Sequence, residues 1–240
     1  MEVHHHGHHE GKKTWKSYIW EFLMLFLAVF CGFMAEWQLE HVIEHQREKE
    51  YMHSIVEDIQ EDVTQTDTLI SSLIKRNELI DSLLIELSSD GIYKNSFKAH
   101  QLWANSRGFP DFIHNDRTIQ QLKSSGALRL IRIKSVSDSI MKYDQTVRKI
   151  DIQQSIMNSV IIDQTIFNQL FDFITLKKQN NILIPVPLTQ KGKTMLNEAY
   201  ANRLYWKRNL TGLIVRLKYV NAEGKSVANF IKKQYHITDL

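Results

Sequence analysis

The sequence predicts an all-α chain: one N-terminal transmembrane helix that continues into a long helical stalk, plus an antiparallel helical bundle. Three observations predict it. Tyr18 to Trp37 read YIWEFLMLFLAVFCGFMAEW, the one long apolar run of the 240 residues. Beyond it, apolar residues keep recurring at helical spacing. Neither Gly nor Pro occurs from Phe33 to Asp90 or from Ala127 to Ile184, gaps that suit long helices rather than strands joined by frequent turns. The expected regions are a His- and Lys-rich tail over 1–17, a transmembrane helix over 18–37, an acidic helical stalk and first bundle helix over 38–90, and a basic helical bundle over 91–240.

The apolar run has about 20 residues, the length a helix needs to cross a bilayer. A lone segment crosses lipid only as a helix, because lipid offers the backbone amides no partners. Cleavage as a signal peptide after Ala35 would put Phe33 where a small residue is required, and lipoprotein processing at Cys31 would do the same with Phe30, so an uncleaved anchor is expected. Trp15, Tyr18 and Trp20 at one end and Trp37 at the other suit the headgroup level. Lys12, Lys13 and Lys16 precede the segment and only Arg47 and Lys49 follow closely, which predicts the N-terminus in the cytoplasm and the bulk of the chain outside it. Cys31, the single cysteine, lies in the span, so no intramolecular disulfide reports the compartment.

After Trp37, Met52, Val56, Ile59, Val63, Thr66, Ile70, Leu73, Asn77, Ile80, Leu84 and Leu87 follow one another in heptad fashion. Near Met52 to Val63 the stripe is narrow, as in a stalk. Leu69, Ile74, Leu79, Leu83 and Ile85 widen it later, as in a bundle helix. From Trp15 to Ser88 one helix would run roughly 110 Å. Ser88-Ser89-Asp90-Gly91 is stop chemistry. Phe97–Ser106 is a short helix, Arg107-Gly108-Phe109-Pro110 a break, and Asn115 or Asp116 caps a helix to Ser125. Ser135 opens a second long helix to Leu176, whose apolar set includes Tyr143, Val147, Ile161 and Leu170. Asn180 to Pro187 is a loop, Thr189 caps a third long helix towards Asn221, and Gly224 separates a last one to His236. Reversing connections between three long helices predict antiparallel packing.

Residues 36–90 carry 14 acids and 4 bases, whereas 91–240 carry 10 acids and 23 bases. Such halves neutralise each other by packing, or the basic half meets an anionic partner. No aromatic-interleaved basic cluster reads nucleic acid, and none is expected as a partner.

Several short motifs carry a resemblance: the start Met1-Glu2-Val3-His4-His5-His6, Trp20-Glu21-Phe22 before the span, Ala35-Glu36-Trp37 after it, and Arg47-Glu48-Lys49-Glu50-Tyr51. Further on come Ile119-Gln120-Gln121-Leu122-Lys123-Ser124-Ser125-Gly126-Ala127-Leu128-Arg129-Leu130-Ile131 and Ser139-Ile140-Met141-Lys142-Tyr143. With these the chain resembles an uncharacterised family of single-pass, helical inner-membrane proteins from Bacteroidota. The resemblance implies the inner membrane of a Gram-negative envelope and supplies no catalytic residues.

Glu21 and Glu36 are membrane-edge acids. They lie 15 residues apart, about 22 Å along a helix, so both snorkel to the edges of a core about 30 Å thick. Ala28, Gly32 and Ala35 share a stripe with Glu21 and Leu25, and small residues at this spacing let helix backbones approach. Together with a stalk seam through Met52, Val56, Ile59, Val63, Ile70, Leu73 and Asn77 they predict a homo-oligomer. His4, His5, His6, His8 and His9 have no fixed geometry, and His41 and His45 read as solvated, so no metal site is expected. There is no phosphate loop, nucleophile elbow, HExxH or paired-cysteine motif. No enzyme and no cofactor are expected. The leading function is a membrane-anchored envelope structural or interaction protein, a homo-oligomer or an anchor for an envelope protein partner, with the lipid bilayer as its surroundings. The alternative is a subunit of an ion-coupled or channel-forming assembly.

Overall fold

The structure, a computed structural model, describes residues 14–159, 163–179 and 184–238. The N-terminal histidines, Lys12, Lys13, Ile161 and the first part of the loop after Gln179 lie outside the described residues. Seven α-helices occur among the described residues, and the one bridge is an isolated pair, Phe171 with Leu188. The helices are α1 (Trp15–Leu87), α2 (Phe97–Ser106), α3 (Arg117–Ser124), α4 (Lys134–Ser159), α5 (Asp163–Leu170), α6 (Phe173–Gln179) and α7 (Gln190–Tyr235). The all-α expectation holds. Two compact units divide the chain, 1–50 and 51–240.

In the first unit α1 runs unbroken from Trp15, as expected of a segment free of Pro. A Cβ on its one glycine, Gly32, would meet no atom within 4 Å. Phe22, Phe26 and Phe30 stack one helical turn apart, with ring centroids 6.3 and 6.0 Å apart. Trp37 meets the His41 ring edge-on at 4.4 Å.

The second unit is built on three long helices. Asp81 pairs with Lys207, Asn77 with Thr211 and Asp67 with Lys225, so α1 and α7 run antiparallel. Lys142 pairs with Glu223, and Gly212 faces Gln153, so α4 and α7 also run antiparallel. It follows that α1 and α4 are parallel. The reversing connection expected between these two long helices is thus absent, while α7 runs antiparallel to both, and the reason is the segment between α1 and α4. Lys98 pairs with Glu86, Arg76 donates to the carbonyls of Asn105 and Arg107, Ile113 N–H donates to Gln65, and Thr118 N–H donates to Asp58. The chain thus retraces α1 before α4 begins, which makes α2 to α3 a long return rather than a turn. These pairs also show where the opposite charges of the two halves go: they meet inside one chain.

Two of the long helices differ from those the sequence predicts. The second does not run unbroken to Leu176: among the described residues it comprises α4, α5 and α6, with helix interrupted at Phe171 and Asp172. The carboxylate of Asp172 accepts from the N–H groups of Ile174 and Thr175 at 3.0 and 3.1 Å and from the Thr175 hydroxyl, an N-cap that opens α6. The third long helix does not stop at Asn221. It passes through Gly224 to Tyr235, where His236 closes it with φ 53°. Gly224 is there for space. A Cβ on it would lie 3.0 Å from Val63, 3.3 Å from Tyr143 and 3.4 Å from Ile59, so this glycine lets three helices meet.

The seam also differs. Met52, Val56, Ile59 and Leu73 are buried at 3% exposure or less, in one cluster with Val136, Ile140, Leu213 and Leu217. Val63 and Ile70 pack against that cluster. The stripe read as a stalk seam between copies is therefore the inner face of α1 in its own bundle. Heptad spacing marks an apolar face, and a face is satisfied equally by another chain or by the same one. A second cluster at the other end gathers Leu83, Leu87, Trp103, Phe167, Leu170 and Phe171.

Candidate functional site: a bare apolar helix and a buried acidic node

The first candidate lies in the unit 1–50. One helix of the described residues is long and apolar enough to cross a membrane, and none of its apolar window is buried within the protein. Glu21, Leu25, Ala28, Gly32 and Ala35 are all exposed, as is Glu36. Regular helix geometry places the first five on one stripe. Open space surrounds the Cβ direction of Gly32. The ladder of Phe22, Phe26 and Phe30 is a feature that sequence reasoning missed, although its spacing of four is legible there. In a water-soluble helix such residues would face a core. Here a run with Phe22, Leu25, Phe26, Val29, Phe30 and Phe33 all at least half exposed needs an apolar surrounding.

The second candidate lies in the unit 51–240, and sequence reasoning missed it as well. Asp58 and Asp62 project one turn apart from the inner face of α1, interrupting its apolar stripe, and their side chains are 7% and 2% exposed. The return segment brings its backbone to them. Thr118 N–H donates to Asp58 Oδ2 at 3.0 Å, and Arg117 Nη2 donates to Asp58 Oδ1 at 3.1 Å. The cap of α3 is thus supplied from α1: Asp116 occupies the cap position without a side-chain capping bond. An acid at the N-terminus of a helix meets its unpaired amides and the positive end of its dipole.

Asp62 is in a different situation. Asn115 N–H donates to Oδ1 at 2.9 Å, the Tyr143 hydroxyl donates to Oδ2 at 3.0 Å, and His114 Nε2 stands 3.5 Å from Oδ2. No lysine or arginine pairs with it among the described residues. Burial pushes its carboxyl up to about 7, the two hydrogen bonds pull it down, and the neighbouring Asp58 and Glu61 push it up. His114 is lowered, chiefly by burial. Burial, then the charge of Asp62 and its hydrogen bond, raise Tyr143. The node is therefore a protonatable carboxyl held between α1, α4 and the return segment.

A companion site lies beside it on α3 and α4. Asp144 accepts from Lys123 Nζ at 2.6 Å and from Arg148 Nε at 3.0 Å. Burial alone would raise this acid; the two cations outweigh it and hold the carboxyl below its ordinary range. Thr118, Lys123 and Tyr143 come from the two distal motifs or adjoin them: Thr118 and Tyr143 tie the return segment and α4 to the acids of α1, and Lys123 ties α3 to α4. The signal available in the sequence was the break of apolar periodicity at Asp58 and Asp62.

Asn77 half-faces α7. Its Nδ2 donates to Thr211 Oγ1 at 3.1 Å, while its Oδ1 is buried without a hydrogen-bond partner. His41 and His45 remain on the exposed part of α1, and no group of three metal-ligating side chains occurs among the described residues. Comparison with protein-family models, with curated proteins and with solved structures finds no match.

Proposed function

We propose that the chain is a single-pass membrane protein of a bacterial envelope, anchored in the inner membrane by residues 18–37, with the N-terminus in the cytoplasm and the helical bundle in the periplasm. It serves as a structural or interaction protein, self-associating through the span or anchoring a partner protein. One observation carries this reading. On one continuous helix, the residues from Phe22 to Phe33 are exposed and apolar, whereas the apolar stripe through Met52, Val56, Ile59, Leu73 and Ile80 is buried in the chain's own core. A bundle with a buried core of its own has no need of such a segment for folding, and a bilayer is the surrounding that suits it. Lys16 before the span and the motif resemblance support the orientation. Self-association then rests on Ala28, Gly32 and Ala35, because the inner face of α1 is already covered.

A reporter active only outside the cytoplasm, fused after Leu240, tests the topology. Activity is expected in intact cells. Activity only of a cytoplasmic reporter at the same position would reverse the orientation and with it the periplasmic role.

A further inference from the structure

The outer faces of α4 and α7 leave a groove of about 680 Å³ along their length. Its floor is the buried pair Ile150 and Val220. Its walls are apolar and open to solvent: Ile152 is 61% exposed, Val215 62% and Tyr219 55%. Val215 and Tyr219 are one turn apart on α7, and Ile156, also exposed, is one turn from Ile152 on α4. A trough between two antiparallel helices, with apolar side chains repeating by turns, has the shape that accepts another helix lengthwise.

Charge narrows the occupant. Lys149 and Arg216 edge the groove, and neither has an ion-pair partner among the described residues. Lys142, at one end, is held by Glu223 at 3.1 Å. The rim thus offers two unneutralised cations around an apolar trough, complementary to a helix with an apolar ridge and acids beside it. A second copy of the bundle suits it poorly. Groove against groove would bring Lys149 and Arg216 against their own kind. The outer face of α1 presents Thr64, Thr68 and Ser71, and its exposed apolar residues, Ile74 and Ile85, stand 11 residues apart with Glu78, Asp81 and Ser82 between them, too sparse a ridge to fill the trough.

We infer that the α4–α7 groove is the docking site for an acidic amphipathic helix of a partner protein. The inference rests on the proposed role as an anchor for a partner and names the face that performs it. Binding buries Val215, Tyr219 and Ile152 against the ridge of the incoming helix, and Lys149 and Arg216 pair with its flanking acids.

The test uses the full chain in its own membranes, with the photoreactive residue benzoylphenylalanine replacing Tyr219 or Ile152, and Thr64 or Thr68 as control positions. Cross-linked peptides are identified by mass spectrometry. The expected result is a protein adduct at 219 and 152 and none at 64 and 68. The captured segment should carry apolar residues at helical spacing and a net negative charge. Reversal of both rim charges, Lys149→Glu with Arg216→Glu, should lower the adduct at least tenfold while far-UV circular dichroism and melting stay as in wild type. Val215→Glu, at another exposed position, should do the same. Absence of an adduct at the groove, an adduct only with lipid or with a second copy of this chain, or an adduct indifferent to charge reversal would overturn the inference. A reversed or absent membrane topology would instead sink the anchor reading, which the reporter fusion reads separately.

Discussion

Replacing Asp62 by Asn removes the one buried carboxyl of the node that has no cation beside it. Its folded-state pKa, about 7, lies well above the ordinary aspartate value of 3.8. The folded chain therefore holds a proton that the unfolded chain has released. The stability this contributes is complete below the unfolded value and is lost as pH rises through about 7. One proton limits the slope to about 1.4 kcal/mol per pH unit, and the whole window to about 4 kcal/mol. For a unit of this size about 1 kcal/mol moves the melting temperature by roughly 2–4 °C, so Asp62 accounts for a fall of up to about 3–6 °C per pH unit between pH 5 and 7. His114 works in the opposite direction. Its pKa is lowered, so its share of stability is complete above the ordinary histidine range and is lost as pH falls through its folded value. Burial also lowers His100 and raises Asp151, so the wild-type curve sums several groups, and the difference between Asp62→Asn and wild type isolates the carboxyl. The amide also meets the donors Asn115 N–H and Tyr143 hydroxyl with one oxygen instead of two, a pH-independent cost of about 1–3 kcal/mol. The slope is thus the readout and the level is not. Thermal unfolding of the full chain in detergent, followed by circular dichroism from pH 5 to 8, should show the variant losing less stability with rising pH than wild type. Parallel curves would refute the assignment of the neutral-range proton to Asp62.

Four further outcomes follow from named contacts. Asn77→Leu should raise stability by about 1 kcal/mol in thermal melts without altering mass by native mass spectrometry, because it removes a buried oxygen that lacks a donor and leaves Thr211 bonded to the Lys207 carbonyl; a clear loss of stability would contradict it. Ile59→Asp puts a charge where the side chain is 3% exposed and should cost about 3–5 kcal/mol, read as loss of the bundle's cooperative melt rather than as dissociation of oligomers. Gly192→Ala should destabilise by about 1–3 kcal/mol despite the better helix former, since its Cβ would sit 2.5 Å from the Leu170 carbonyl oxygen. Gly32→Leu should leave that melt unchanged, because nothing lies within 4 Å of the new Cβ direction, and should reduce cross-linking between copies in the membrane.

The helices themselves were legible because their signals are local. Phe97–Ser106 and the Thr189 cap, whose hydroxyl accepts from Gly192 N–H at 2.8 Å, stand where composition and capping put them. What was not legible depends on partners distant in sequence. The periodicity of Met52 to Leu73 states that a face is apolar, and cannot state whether the face meets α4 and α7 or another chain. Gly224 reads as a helix stop until Val63, Ile59 and Tyr143 are seen to crowd it. Asp58 and Asp62 read as two charges on an acidic helix until a segment more than fifty residues away delivers its amides to them. The acid that titrates near neutrality is set by burial, which single-sequence reasoning does not supply.

The central claim is that the exposed apolar part of α1 serves the bilayer and the bundle from Tyr51 onward holds itself together. Its most direct test is to compare the full chain with residues 51–240 alone in cell fractionation with alkaline extraction, followed by thermal melting of the shorter chain. The full chain should stay in the membrane pellet, and 51–240 should be soluble, helical and melt cooperatively. A soluble full chain, or a shorter chain that still partitions to the membrane or fails to fold, would contradict it.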